Sequence, residues 1–259
     1  MYNRQKENKY TIDVIIPCIP KHIKYLPNVI TSINNNTQHP DNIIIALSEI
    51  NYSNELLNYL QKKSKSIPII LNTTSNKAYA AENRNRGAFS SNADVLMFID
   101  ADDLMLPNCI EVVINILNLH NADAVLHGYT KNINYIEPKY ENIYTNVLDP
   151  ISFAKLEKSD HKLWYTSLSK IEPHHGHITV KRNNYITLGG QNESETWRRG
   201  QDSKFIRDLF QNNHKVAYTP RKLTVYNQHL STQSFIEKYK DVIIITFLFI
   251  LFYFKFRRV

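Results

Sequence analysis

Three carboxylates fall within four residues at Asp100-Ala101-Asp102-Asp103, directly after the apolar run 95–99. Like charges crowded that closely repel one another. A hard divalent cation, Mn²⁺ or Mg²⁺, relieves the repulsion and commonly shares its oxygen ligands with substrate phosphates. The same acids stand ahead of Pro107, where they also suit a helix N-terminus with free amides to satisfy. A second tract, His174-His175-Gly176-His177, invites a zinc reading. Adjacent histidines are poorly spaced for one tetrahedral site and no thiol lies near, so a loop on the acceptor side is the better expectation. Trp164, Tyr165 and Trp197 are candidates for stacking on a ligand, although aromatic residues more often serve the core.

Short strands alternating with helices position these residues. The stretch 11–16 is a β-branched run that Pro17 is expected to stop. Leu26, Val29, Ile30 and Ile33 share one helical face. Strands are expected at 42–47, 67–71, 95–99 and 124–126. Helices are expected at 55–63 with Leu56, Leu57 and Leu60 inward, within 78–91, and from Pro107, where Ile110, Val113, Ile114 and Leu117 repeat the helical spacing. This alternation predicts an α/β fold whose mainly parallel, Rossmann-like sheet is flanked by helices, with ligands beyond the carboxyl ends of the strands. Asp100 stands at one such end. The pattern loosens over 130–177, where loops are expected. It returns with a strand at 178–180, a helix at 202–211 that turns Phe205, Ile206, Leu209 and Phe210 inward, and strands at 216–218 and 223–226.

The 259 residues suit one large domain or two modest ones, and a hydrophobic share of 42% argues against disorder and a polytopic membrane protein. A formal charge of +7 favours anionic partners, though Lys is abundant throughout and much of that charge reads as solvated surface. No aromatic-basic motif accompanies the charge, so nucleic acid is not an expected partner. Two cysteines, Cys18 and Cys109, provide neither a metal cluster nor a disulfide framework. The polar start, 1–10, lacks the apolar stretch of a secretory signal, which predicts a cytosolic location. Residues 242–254 are apolar apart from Thr246, with Lys238 and Lys240 before them and Lys255, Arg257 and Arg258 after. A helix of that length spans roughly 20 Å, short of the ~30 Å hydrocarbon core. The expected organisation is therefore a domain over 1–238 and a hydrophobic tail over 239–259. The tail would hold the protein at a membrane surface, or pack as a buried terminal helix or strand.

Five segments in order resemble family 2 glycosyltransferases of the GT-A fold. Ile12-Asp13-Val14-Ile15-Ile16-Pro17 is similar to their opening strand. Asn83-Arg84-Asn85-Arg86-Gly87 is similar to their Ala-Arg-Asn-x-Gly segment. Phe98-Ile99-Asp100-Ala101-Asp102-Asp103 resembles their acidic metal motif. Leu188-Gly189-Gly190 followed by Gly200-Gln201-Asp202 resembles their Gly-Gly-Phe and Glu-Asp stretch, and Tyr226-Asn227-Gln228-His229 their Tyr-Arg-x-His element. The resemblance runs over 11–234 and implies an inverting, metal-dependent transfer from a nucleotide-diphospho-sugar to a hydroxyl of a glycan, lipid or polysaccharide.

The resemblance also implies roles. Pro17, Glu49, Arg84 and Asp100 would face the nucleotide, Asp100 at the donor ribose. Asp102 would hold Mn²⁺ or Mg²⁺, with His229 nearby, and Asp202 would be the general base that deprotonates the acceptor. Each has a plainer alternative: an acid at a helix N-terminus for Asp202, a surface ion pair for Arg84, a hydrogen-bonded structural histidine for His229. Three departures stand out. Ser48-Glu49 replaces the family's frequent Asp-Asp-Gly-Ser, Tyr79 replaces a frequent Gly, and Gln201 replaces the Glu before the catalytic Asp. They keep open a non-catalytic relative that binds sugar nucleotide or glycan. A nucleotidyltransferase would carry a Gly-rich phosphate loop after the first strand, and Pro17-Cys18-Ile19-Pro20 is not one.

Overall fold

The computed structural model describes residues 10–135, 146–148, 175–197 and 200–227. The chain divides into Met1–Tyr226 and Asn227–Val259, and every element described here belongs to the first unit. The expected tail over 239–259 and His229 lie outside the described residues. Among the described residues, no helix is long and apolar enough to cross a membrane.

Strands β1 (Ile12–Cys18), β2 (Asn42–Leu47), β3 (Ile69–Thr73) and β4 (Val95–Phe98) alternate with helices α1 (Leu26–Asn34), α2 (Asn54–Ser64) and α3 (Ala80–Ser90). They form the parallel half of the sheet, in the order β3-β2-β1-β4. Beyond β4 the sheet turns mixed. After β5 (Leu104–Met105) and α4 (Cys109–His120) come β6 (Ala124–Thr130), β7 (Asn146–Leu148) and β8 (Thr179–Lys181). Helices α5 (Arg182–Thr187) and α6 (Gln201–Gln211) and strand β9 (Val216–Val225) follow. Strand β8 runs antiparallel between β4 and β6, β9 lies parallel to β6, and β5 and β7 pair antiparallel with β9. The parallel sheet predicted from the alternation is thus the N-terminal half of a larger mixed sheet.

Side chains on alternate faces of β1 serve two cores, which is why the strand is apolar except at Asp13, a buried carboxylate that accepts from Ser91 Oγ at 2.6 Å. Ile12, Val14, Ile16 and Cys18 pack with α1, α2 and α4 on one face. Ile15, with Ile44 of β2, packs on the other face among Ala88 of α3, Tyr185 of α5 and the inward row of α6. That row is Phe205, Ile206, Leu209 and Phe210, all buried as their spacing predicts. Helix α3 sits close on β1 at Gly87, where a Cβ would lie 2.6 Å from Ile15 Cγ2.

The tertiary structure corrects three local expectations. Pro17 does not stop β1: the strand continues to Cys18, with Pro17 beside Ala46. Its missing N–H is tolerated because pairing with β4 has already ended at Ile15. The helix expected from Pro107 starts at Cys109. The two strands expected at 216–218 and 223–226 are one strand. Thr219 pairs His127 and Lys222 pairs Gly128, so Pro220 and Arg221 form a bulge between them.

Candidate active site

Strand order reverses at β1. Strands β2 and β3 extend to one side of it and β4 to the other. The carboxyl ends of β1 and β4 diverge there, which is the place where open α/β sheets bind ligands. A cleft of ≈ 520 Å³ opens at that point. Its walls come from the end of β1 (Pro17, Cys18, Ile19), from the acidic turn after β4 (Asp100, Ala101, Asp102), from the start of α3 and from the start of α6. Of the seven residues singled out from sequence, Pro17, Glu49, Arg84, Asp100, Asp102 and Asp202 all line this one cleft.

Arg84 is buried rather than part of a surface ion pair, with 3% of its surface exposed. Its Nη2 donates to Asp100 Oδ1 at 2.5 Å and its Nη1 to Gln191 Oε1 at 3.3 Å. Burial pulls its pKa down, but the charges of Asp100 and then Asp202 outweigh burial and raise it, so the guanidinium stays charged. Asp202 stands in the first turn of α6, where its Oδ1 accepts from the Ser203 amide at 2.7 Å. Its charge acts on Arg84, and it lines the same cleft as the Arg84–Asp100 pair.

The acidic turn splits by depth. Asp102 is half-buried at the cleft, and burial, then Asp103, then Asp100 push its pKa up to about 7. Asp103 is buried, and its Oδ2 lies 2.8 Å from His177 Nε2. Asp100, Asp103 and His177 offer three ligand atoms within 4.8 Å of one another. The His177 ring is fixed by a 2.9 Å hydrogen bond between Nδ1 and Thr224 Oγ1. Burial outweighs the pull of Asp100 and holds its pKa down to about 4, so the imidazole is neutral and ligand-competent. Two carboxylates and one oriented neutral imidazole suit a hard divalent cation. His177 belongs to the tract expected to form an acceptor-side loop. The adjacent histidines invited a zinc reading that their spacing argued against, and the acids that meet His177 are 74 and more residues away in sequence. Asp102 stands outside that trio, on the cleft side.

The nucleotide side is built by backbone as much as by side chains. Glu49 reaches the cleft with φ at 61°, a left-handed conformation uncommon for a side chain of this size, and its amide donates to Asn76 O at 3.1 Å. The start of α3, Ala78 to Ala80 in the cleft wall, presents a helix N-terminus that favours negative charge. There Glu82 accepts from the Tyr79 amide. His22, in the turn after β1, also lines the cleft; its Nε2 is buried without a hydrogen-bond partner among the described residues. Nothing in the sequence distinguished His22 or Lys77, which reach the cleft only through the fold, whereas Tyr79 stood out as a departure from the family pattern.

Residues 13–177 match the family model described as Glycosyl transferase family 2. The chain is 26% identical over 156 residues to the poly(ribitol-phosphate) beta-N-acetylglucosaminyltransferase TarP of Staphylococcus aureus (strain N315), covering 60% of this chain and 46% of TarP. The crystal structure of S. aureus TarS 1-349 in complex with UDP superposes with a TM-score of 0.62 at 11% identity, covering 84% of this chain and 60% of that one. The complex of TarS 1-349 with UDP-GlcNAc gives a TM-score of 0.62 at 12% identity, covering 84% and 58%. The chain thus spans less than two thirds of the length of these relatives. The mixed sheet between two helix layers is the GT-A fold that the sequence resemblance implied. The motifs in order, the cleft at the β1–β4 divergence and the match over most of the domain lead to one assignment: the protein belongs to glycosyltransferase family 2.

Proposed function

We propose that the protein transfers a sugar, with inversion, from a nucleotide-diphospho-sugar to a hydroxyl of a glycan, lipid-linked or polysaccharide acceptor. The observation that carries this reading is the convergence of Arg84, Asp100 and Asp102 with Asp202, which is distant in sequence, on one cleft. UDP-GlcNAc is the first donor to test, because TarS binds it and TarP is named for N-acetylglucosamine transfer. TarP is also named for poly(ribitol-phosphate), and a polyanionic acceptor of that kind suits a chain of charge +7.

Within this reading the chain's own residues divide the work. Asp202 accepts the proton of the attacking acceptor hydroxyl from the face opposite the leaving diphosphate. Arg84 and Asp100 orient the nucleotide at the divergence of β1 and β4. The start of α3 lends its amide dipoles to the anionic donor. Asp100, Asp103 and His177 would hold Mn²⁺ or Mg²⁺, with Asp102 beside them, and the ion would supply Lewis-acid help to the diphosphate leaving group. Burial is the main cause of the raised Asp102 pKa, and positive charge there would relieve the part that Asp103 and Asp100 add.

The test is release of UDP from UDP-GlcNAc with and without Mn²⁺, together with a melting-temperature screen across nucleotide-sugars. A donor at 100 times its Kd adds about 2.7 kcal/mol to stability, a shift that is readily measured. No stabilisation and no turnover with any nucleotide-sugar in the presence of Mn²⁺ overturns the reading. The apolar stretch 242–254 with its flanking lysines and arginines supports a membrane-surface location as part of the same proposal. A chain truncated after Lys240 should lose flotation with anionic vesicles; equal flotation of both forms removes the tail from the proposal.

A further inference from the structure

The geometry points to Gln191 as a positioning residue of the donor site, one that holds the Arg84 guanidinium in register on Asp100. This rests on the donor-site reading above and extends it to a residue outside the cleft wall. Arg84 is a charge with almost no contact with water, so protein groups must satisfy it. Asp100 takes Nη2 and Gln191 takes Nη1, while Nε has no hydrogen-bond partner among the described residues. Asp100 alone would leave the planar fork free to turn about a single contact. The amide oxygen of Gln191 supplies the second point and fixes the plane.

Gln191 can do this because its own backbone is clamped. Its amide donates to Asn85 Oδ1 at 2.8 Å, and its carbonyl accepts from Asn85 Nδ2 at 2.8 Å. Asn85 Oδ1 accepts a further bond from Tyr185 Oη at 2.6 Å, and Nδ2 donates a further one to Glu193 Oε1 at 2.7 Å. All four hydrogen-bonding positions of that amide are therefore used. Asn85 follows Arg84 on α3, so the same helix that carries the guanidinium carries its clamp. The approach requires Gly190: its φ is 76°, and a Cβ there would lie 2.3 Å from Asn85 Oδ1. The chain Tyr185–Asn85–Gln191–Arg84–Asp100 thus links α5 and the Gly189-Gly190 turn to the nucleotide side of the cleft. The Nε2 of Gln191 is buried without a partner among the described residues, which leaves the contact with Arg84 as the hydrogen bond its side chain makes there.

The test is a double-mutant cycle read by calorimetric titration of UDP, in the presence of MnCl₂, into the full chain. Gln191→Leu preserves volume and removes the acceptor; it should weaken UDP binding about tenfold, the size expected for one hydrogen bond to a charged group. Arg84→Lys replaces the fork with a point charge that does not need a fixed plane. On that background Gln191→Leu should have no further effect on UDP affinity. Gln191→Ser, which admits water beside Nη1, enters the same cycle if Gln191→Leu does not fold. Wild-type affinity in the Gln191 variant, or an equal loss on both backgrounds, overturns the positioning role. A wild-type chain that does not bind UDP or another nucleoside diphosphate overturns the donor-site reading itself, and the positioning role with it.

Discussion

Asp202→Asn keeps the size of the side chain and an oxygen to accept from the Ser203 amide, but removes the proton acceptor. Arg84 keeps Asp100 as its direct partner, so donor binding should stay within about twofold while transfer falls by roughly 10²–10⁴. Calorimetry for UDP and a transfer assay check the two halves separately; near-normal transfer rules out Asp202 as the base. The acidic turn gives the second comparison. Asp103→Asn is isosteric but neutral, and should weaken Mn²⁺-dependent UDP binding about tenfold or more, if the buried trio holds the ion. Asp102→Ala should also abolish or weaken it from the cleft side. Unchanged affinity in Asp103→Asn would leave Asp102 as the principal ligand and free Asp103 for a structural contact with His177.

At the scale of elements, the Gly189-Gly190 turn after α5 separates two costs of a side chain. Gly190 combines a positive φ with a close approach to Asn85, so two costs fall on one residue. Gly190→Ala should destabilise the fold by about 2–3 kcal/mol, from left-handed strain and from overlap that the fully bonded Asn85 amide cannot relieve. Urea denaturation measures it. Gly189 shares the positive φ, but a Cβ there meets nothing within 4 Å, so Gly189→Ala should cost about 1 kcal/mol, the conformational part alone. Equal losses at the two glycines would show that the contact with Asn85 carries no weight.

At the scale of the molecule, the buried imidazoles tie stability to pH. Burial holds His127 down to about 4 from an ordinary value of 6.5; its Nδ1 meets Gly128 O at 2.9 Å, and the ring that faces it is His177, 6.3 Å away. The folded state keeps this group neutral where the unfolded chain protonates it. Its contribution is therefore fully present above pH 6.5 and is lost as pH falls from 6.5 towards 4. His177, facing Asp103, Asp100 and Arg84, titrates in the same direction. Melting temperature should fall over that window, and His127→Leu should flatten part of the fall. A profile unchanged by His127→Leu would place the dependence elsewhere.

The sequence by itself determined what depends on local pattern. Short apolar runs located β1 to β4, apolar residues at helical spacing located α1, α2 and α4, and the same spacing named the inward row of α6 residue by residue. The acidic turn, Arg84 and Asp202 were legible through short motifs that resemble a known family, and Glu49 as a departure from one; the fold brings all of them to one cleft. What the tertiary structure decided depends on partners distant in sequence. Pro17 remains in a strand because β4 has already stopped pairing. His177 meets Asp103 because β8 is inserted antiparallel beside β4, a pairing that no local period encodes. Gln191 reaches Arg84 across 107 residues because Asn85 holds its backbone. Local pattern fixes which face of an element is apolar. Hydrogen bonds between elements decide which polar groups share a buried site, and those exist only once the sheet has formed.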